Sequence, residues 1–147
     1  MIVGFTGTRD GMTQAQKCQV ECLLLNFQPQ TVHHGDCIGA DADFSEIVVK
    51  LNHARKLNAH IVGHPCNLHS QRAHCIVNEE RPVLEPRERN QNIVNESGLI
   101  IVTPREFSWP KHHRSGTWMT CGIAKNMHKR LMVVWPDGTP EIMDFRD

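Results

Sequence analysis

Residues 2–11 read Ile2-Val3-Gly4-Phe5-Thr6-Gly7-Thr8-Arg9-Asp10-Gly11. A short apolar run passes directly into a glycine-rich turn. After Thr13, a residue suited to cap a helix, Val20, Leu23, Leu24 and Phe27 recur at helical spacing. A buried strand, a turn and a covering helix form the unit from which parallel sheets with helices on both faces are built. The same alternation runs on through the chain. Thr31 to His34, His60 to Gly63, Leu99 to Thr103 and Leu131 to Trp135 bring the expected strands to five.

Between these strands a second helix carries the stripe Ala40, Phe44, Ile47, Val48, Leu51 and Ala54, wide enough to cover one side of a sheet. A third is expected from Pro86 to Ser97, closed by Gly98, and a fourth from Gly116 to His128, with proline at a start and glycine past an end. Asp137-Gly138-Thr139-Pro140 reads as a turn, after which Glu141 to Phe145 forms a short edge strand. The pattern predicts an α/β chain: a three-layer Rossmann-like domain with a mainly parallel five-stranded sheet. At 147 residues one domain is expected, spanning 1–147. The segment His64 to Glu85 has no strong period and reads as a lid or binding loop, with a short helix from Ser70 to Val77.

Sixteen basic and sixteen acidic side chains cancel, so no overall field favours nucleic acid or an anionic membrane. Neither is expected as a partner. The six cysteines are scattered and read as free or buried thiols, and the sequence opens without a basic region followed by a long apolar stretch. A cytoplasmic location is the expectation that follows.

In an open parallel sheet, ligands bind beyond the carboxyl ends of the strands, where chain reversals leave a crevice lined by helix N-termini. Three loops suit that position. In the first, Gly7 and Thr8 let backbone N–H groups approach an oxyanion and Arg9 forks onto it. In the second, Gly35, Asp36, Gly39, Ala40 and Asp41 open a helix with small residues and offer two carboxylates to ribose hydroxyls. Helix capping by either aspartate is the plainer reading of each. In the third, Arg114, Ser115, Gly116 and Thr117 place hydroxyls, a guanidinium and the positive end of a helix on one phosphate-sized spot. His34 is placed to touch a ligand, whereas His33 faces a helix as a core residue. Arg105, Trp109, His112 and His113 lie on the preceding loop, where stacking on a base is one use for them. There is no Gly-Lys-Ser/Thr and no full Gly-x-Gly-x-x-Gly, which disfavours ATP hydrolysis and NAD chemistry, and no cofactor or metal is assigned.

Taken in order, Gly7-Thr8-Arg9, the run from His34-Gly35-Asp36 to Gly39-Ala40-Asp41, Arg89-Asn90 at a helix start, and Ser115-Gly116-Thr117-Trp118 resemble the SLOG superfamily. This group comprises DprA/Smf-like and Lonely Guy (LOG)-like nucleotide-binding proteins, with short bacterial and phage members. The resemblance spans Ile2 to about Trp135. It implies a nucleotide or nucleotide-like small molecule over the strand ends, with Arg89 and Asn90 joining the binding residues, and it implies a homodimer or higher homo-oligomer. LOG-like enzymes cleave a base from a nucleoside monophosphate, using a Pro-Gly-Gly-x-Gly-Thr-x-x-Glu motif and an Arg-Lys pair. Here Ser115-Gly116-Thr117 matches the phosphate part, and Arg89-Asn90 aligns with the Arg-Lys pair. Thr120 stands where the motif has its carboxylate, and a threonine cannot supply that charge.

The expectation is therefore a protein that binds its ligand without cutting it, as a sensor, carrier or sequestering protein. One rival keeps the phosphoribohydrolase, with Arg89 catalytic and Asp41, Glu85 or Glu106 moved in as the acid. Another places zinc on His64, Cys66, His69, His74 and Cys75, although that spacing is not a standard finger.

Overall fold

A computed structural model describes residues 1–112 and 115–146. Among the described residues, seven strands form one sheet in the order β4-β3-β2-β1-β5-β6-β7. They are β1 (Ile2–Gly7), β2 (Thr31–His34), β3 (His60–Gly63), β4 (Glu79–Glu80), β5 (Leu99–Thr103), β6 (Arg130–Val134) and β7 (Pro140–Asp144). All pairings are parallel except that of β7 with β6. The sheet thus has two strands more than the five expected. β7 is the anticipated C-terminal edge strand, whereas β4 lay hidden in a stretch of charged, exposed residues with no apolar run to signal it.

Four helices connect the strands: α1 (Gln14–Phe27), α2 (Ala40–His53), α3 (Pro86–Glu96) and α4 (Gly116–Asn126). Period-2 alternation in the strands divides the core into two layers. Leu99 and Ile101 of β5 face Phe5, Phe44, Val20 and Leu24, on the side covered by α1 and α2. Ile100 and Val102 face Trp118, Cys121 and Val94, on the side of α3 and α4. The apolar stripe of α2 is buried at Ala40, Phe44, Val48 and Leu51. Ala54, beyond the helix end, is exposed.

α1 begins with a reciprocal cap. The Thr13 hydroxyl accepts from the Gln16 N–H at 3.1 Å, and the Thr13 N–H donates to Gln16 Oε1 at 3.0 Å. The Gln16 side chain, 1% exposed, then donates to the carbonyls of Pro104 at 2.9 Å and Val134 at 3.0 Å.

The segment 64–85 holds strand β4 and a 3-10 turn, His69–Gln71, which stands in place of the helix expected from Ser70 to Val77. It is tied down by backbone bonds. Asn67 N–H donates to Leu84 O, Ile38 N–H to Gln71 O and Ala73 N–H to Asp36 O, each at 2.9 Å. Among the described residues no helix is long and apolar enough to cross a membrane.

Candidate functional site

β1 lies between β2 and β5, so the chain leaves it on one side and returns on the other. Such a reversal opens a crevice beyond the strand ends. A cavity of about 410 Å³ lies there.

Its floor is the first loop, where Gly7 pairs with Thr103 and Thr8 N–H donates to Thr103 O at 3.1 Å. A Cβ on Gly7 would run into the Thr103 hydroxyl and the Ala40 methyl, so only glycine lets this loop sit down on the sheet. Gly39 caps α2 at φ 91° and ψ −129°, and any Cβ there would meet the Arg9 backbone. The two loops are further joined by the Ala40 N–H, which donates to Thr8 O at 2.9 Å.

The crevice brings together Gly7, Thr8, Arg9, Gly35, Asp41, Arg89 and Asn90 with Ser115, Gly116 and Thr117. Three of the residues singled out from sequence stand behind this surface. Gly39 supports Arg9, and Ala40 lies beneath Gly7 with its N–H already used. Asp36 is turned away, accepting from Arg72 Nε at 2.8 Å and from Cys75 N–H at 2.7 Å. Burial alone would raise the Asp36 pKa, but these bonds outweigh it and hold the carboxyl below its ordinary value. Arg114 and His113 lie outside the described residues.

Asp41 has the opposite character. At 7% exposure it faces the crevice, with Oδ2 accepting from Cys37 N–H at 3.3 Å. Burial pushes its pKa up to about 6, against the pull of the Arg89 guanidinium. Arg89 is itself fixed by three oxygen acceptors, its Nη1 donating to Gly35 O at 2.6 Å and His64 O at 3.0 Å and its Nε to Asn90 Oδ1 at 2.7 Å, with the Cys37 sulfur 3.6 Å from Nη1.

Opposite stands the start of α4. Ser115 is its N-cap, with the hydroxyl accepting from Trp118 N–H at 3.3 Å, so the first-turn amides open toward the crevice. Thr120 lines the crevice too, its hydroxyl donating to Gly116 O at 2.9 Å. Arg105 spans the mouth, 3.5 Å from Asp10 and 3.3 Å from Glu106. Glu106 also accepts from the Trp118 indole N–H at 2.9 Å. Of the three carboxylates considered as relocated acids, Asp41 and Glu106 reach the crevice, and Glu85 is exposed at the start of α3 outside it.

Asp10, Cys37, Leu68, Gln71 and Met119 also line the crevice and were not singled out from sequence as ligand-binding residues, although the first two lie in the candidate loops and Leu68 and Gln71 in the segment read as a lid or binding loop. Asp10 simply follows Arg9, and Leu68 and Gln71 come from the aperiodic segment. The Cys37 thiol is pushed up to about 12, chiefly by burial and then by Asp41, which makes it a poor nucleophile. His34 is fully buried, with Nδ1 accepting from Asp36 N–H at 2.9 Å, and does not line the crevice. Trp109 is half-buried and tilted against Trp118 at 5.1 Å. The zinc grouping is not assembled. Among the described residues the metal-capable side chains that come together are His33, His64 and Glu96, without Cys66, His69, His74 or Cys75.

The sequence matches no family model and no curated protein. Among solved structures, it is similar to the molybdenum cofactor binding protein from the phototrophic bacterium Rippkaea orientalis, with TM-score 0.62 and 18% identity over 91% of this chain and 76% of that one. It is also similar to TM1055, a structural-genomics target, with TM-score 0.61 and 12% identity over 90% of this chain and 73% of that one. At these identities the likeness establishes the fold alone, a Rossmann-like α/β sheet.

Proposed function

We propose that this chain is a SLOG-like protein that binds a phosphorylated, nucleotide-like small molecule in the crevice as a sensor, carrier or sequestering protein of the cytoplasm. The observation that carries the reading is the convergence of Arg9, Arg89 and the α4 start at Ser115–Thr117 on one cavity of about 410 Å³. That size suits a ligand of nucleotide dimensions. The phosphate sits over the first turn of α4, where free amides and the helix dipole favour an anion, and Arg9 closes over it from the first loop. The ribose and base lie toward Asp10, Arg105 and Glu106. A solved neighbour named for binding a cofactor supports a small-molecule cargo, and six unpaired cysteines support a reducing compartment. The test is native mass spectrometry of the freshly purified protein, followed by calorimetric titration with a panel of nucleoside mono- and diphosphates. Micromolar or tighter binding of one of them, weakened by Ser115→Ala with Thr117→Val, is the expected outcome. No binding by any member of the panel defeats the proposal.

A second reading is favoured by Asp41, a buried carboxyl on the crevice that is protonatable near pH 6 beside Arg89. In a nucleotide N-glycosidase, the bond between base and C1′ breaks, water adds at C1′, and the departing base takes up a proton. Asp41 is placed to manage that proton, and Arg89 to balance the charge. Chromatography of nucleoside monophosphates after incubation decides between the readings. Free base released by the wild type, and lost in both Asp41→Asn and Arg89→Ala, establishes hydrolysis.

A further inference from the structure

On the face of the sheet covered by α3, two histidine rings point at each other. His33 of β2 pairs in register with Val62, and His64 follows two residues later, so the period-2 pleat turns both rings to the same side. His33 Nδ1 and His64 Nε2 lie 2.8 Å apart. Glu96, in the last turn of α3, brings its Oε2 to 4.0 Å from His64 Nε2. The three ligand atoms all fall within 4.8 Å of one another. The rings are 3% and 2% exposed, and the half-buried Glu96 forms the route to solvent.

We propose that His33 Nδ1, His64 Nε2 and Glu96 Oε2 form a site for a divalent transition cation of the zinc class, with a fourth position open to water on the Glu96 side. Two imidazoles and one carboxylate are the donors such ions take, whereas calcium and magnesium prefer oxygen alone.

Two physical points support it. The charge suits a cation. Arg81 forks onto Glu96 at 3.0 and 2.8 Å and is held by Glu79 as well, so two carboxylates face one guanidinium, with His60 Nε2 in contact with Glu79 at 3.4 Å. A metal on Glu96 Oε2 leaves Arg81 with Glu96 Oε1 and Glu79. Finally, the required movement is small. Metal–nitrogen bonds of about 2.0–2.1 Å in a tetrahedral site put ligand atoms about 3.3 Å apart, so the rings separate by about half an ångström and the carboxylate closes by about 0.7 Å on His64 and by at most about 1.5 Å on His33. His64 also holds Arg89 through its carbonyl at 3.0 Å, so a bound ion braces one anchor of the crevice arginine from outside the crevice.

The test uses the full chain carrying Cys18→Ser and Cys22→Ser, which removes the two exposed thiols as competitors. After chelator treatment the protein is titrated with Co²⁺ alone and then with Zn²⁺. The expected result is one equivalent of Co²⁺, with the visible absorption of a four-coordinate site that Zn²⁺ abolishes, and shifts of the His33 and His64 ring resonances. Glu96→Gln, a change at a half-buried position that leaves Arg81 paired with Glu79, should weaken Co²⁺ binding by about tenfold or more. His33→Gln should remove it. If His33→Gln does not fold, the Glu96 variant and the ring resonances decide. Failure to take up Co²⁺ at tens of micromolar, or uptake that leaves the two rings unshifted and is insensitive to Glu96→Gln, overturns the proposal.

Discussion

Arg89 Nη1 donates to the Gly35 carbonyl at 2.6 Å, so the third helix grips the loop that follows β2 directly beside the buried Asp41. Truncation to Arg89→Ala removes that grip and leaves three acceptors and a buried carboxyl without their cation. Breaking a buried charged network in this way costs about 3 kcal/mol or more. Urea unfolding should show that loss, and Arg89→Lys should recover only part of it, because an ammonium cannot reproduce the fork.

Gly39 occupies a backbone region that side chains rarely adopt, and its α-hydrogens face the Arg9 backbone. Gly39→Ala is expected to cost about 1–3 kcal/mol from backbone strain, with the steric overlap in addition. The overlap pushes the first loop off the second. Ligand affinity should therefore fall even under conditions where circular dichroism shows a folded protein.

The stability of the protein should decline in acid. Burial lowers His34 from 6.5 to about 4 and His64 to about 3, and lowers His33 as well. Between pH 6.5 and 4 the unfolded chain binds protons at these rings and the folded chain does not, so folding weakens as pH falls. One group displaced as far as His34 contributes roughly 3 kcal/mol over that window. Asp41 acts in the opposite sense. Its carboxyl, raised from 3.8 to about 6, keeps its proton in the folded chain while the unfolded chain releases it, so its contribution is lost as pH rises from 4 to 6. Urea midpoints measured from pH 4.5 to 7 should increase with pH, and Asp41→Asn should steepen that increase.

Ser115 caps α4 and Thr117 sits in its first turn, 5% exposed. Ser115→Ala should cost about 1 kcal/mol of stability through the lost cap. In the double variant with Thr117→Val, affinity for a phosphorylated ligand should fall about tenfold or more, since two hydroxyl contacts to a charged group are lost. Affinity for the corresponding unphosphorylated nucleoside should stay nearly level. Equal losses for both ligands would place the phosphate elsewhere.

Most of the fold was legible because β1, β5 and β6 announce themselves as apolar runs and Thr13, Pro86 and Ser115 mark helix starts. β4 was not, since Glu79 and Glu80 carry no hydrophobic signal and are placed by their pairing with Val62 and Gly63. The convergence of three loops followed from the rule that parallel strands present their carboxyl ends together. The roles within those loops did not. Asp36 and Asp41 look alike in sequence, and what separates them is Arg72, which arrives from 36 residues away and claims the first. The individual roles of Leu68 and Gln71 were equally out of reach, because main-chain bonds from Ile38 N–H to Gln71 O and from Asn67 N–H to Leu84 O tie their segment down and no side-chain pattern records such bonds.

Gln16 gives the crevice one immovable shoulder. A single amide belonging to α1 clasps the chain just past β5 and at the end of β6, so those two strands cannot splay when something enters between the loops. With β5 and β6 clasped together behind it, the crevice has a backbone frame that is set before any occupant arrives, and adjustment to an occupant falls to the side chains that line it.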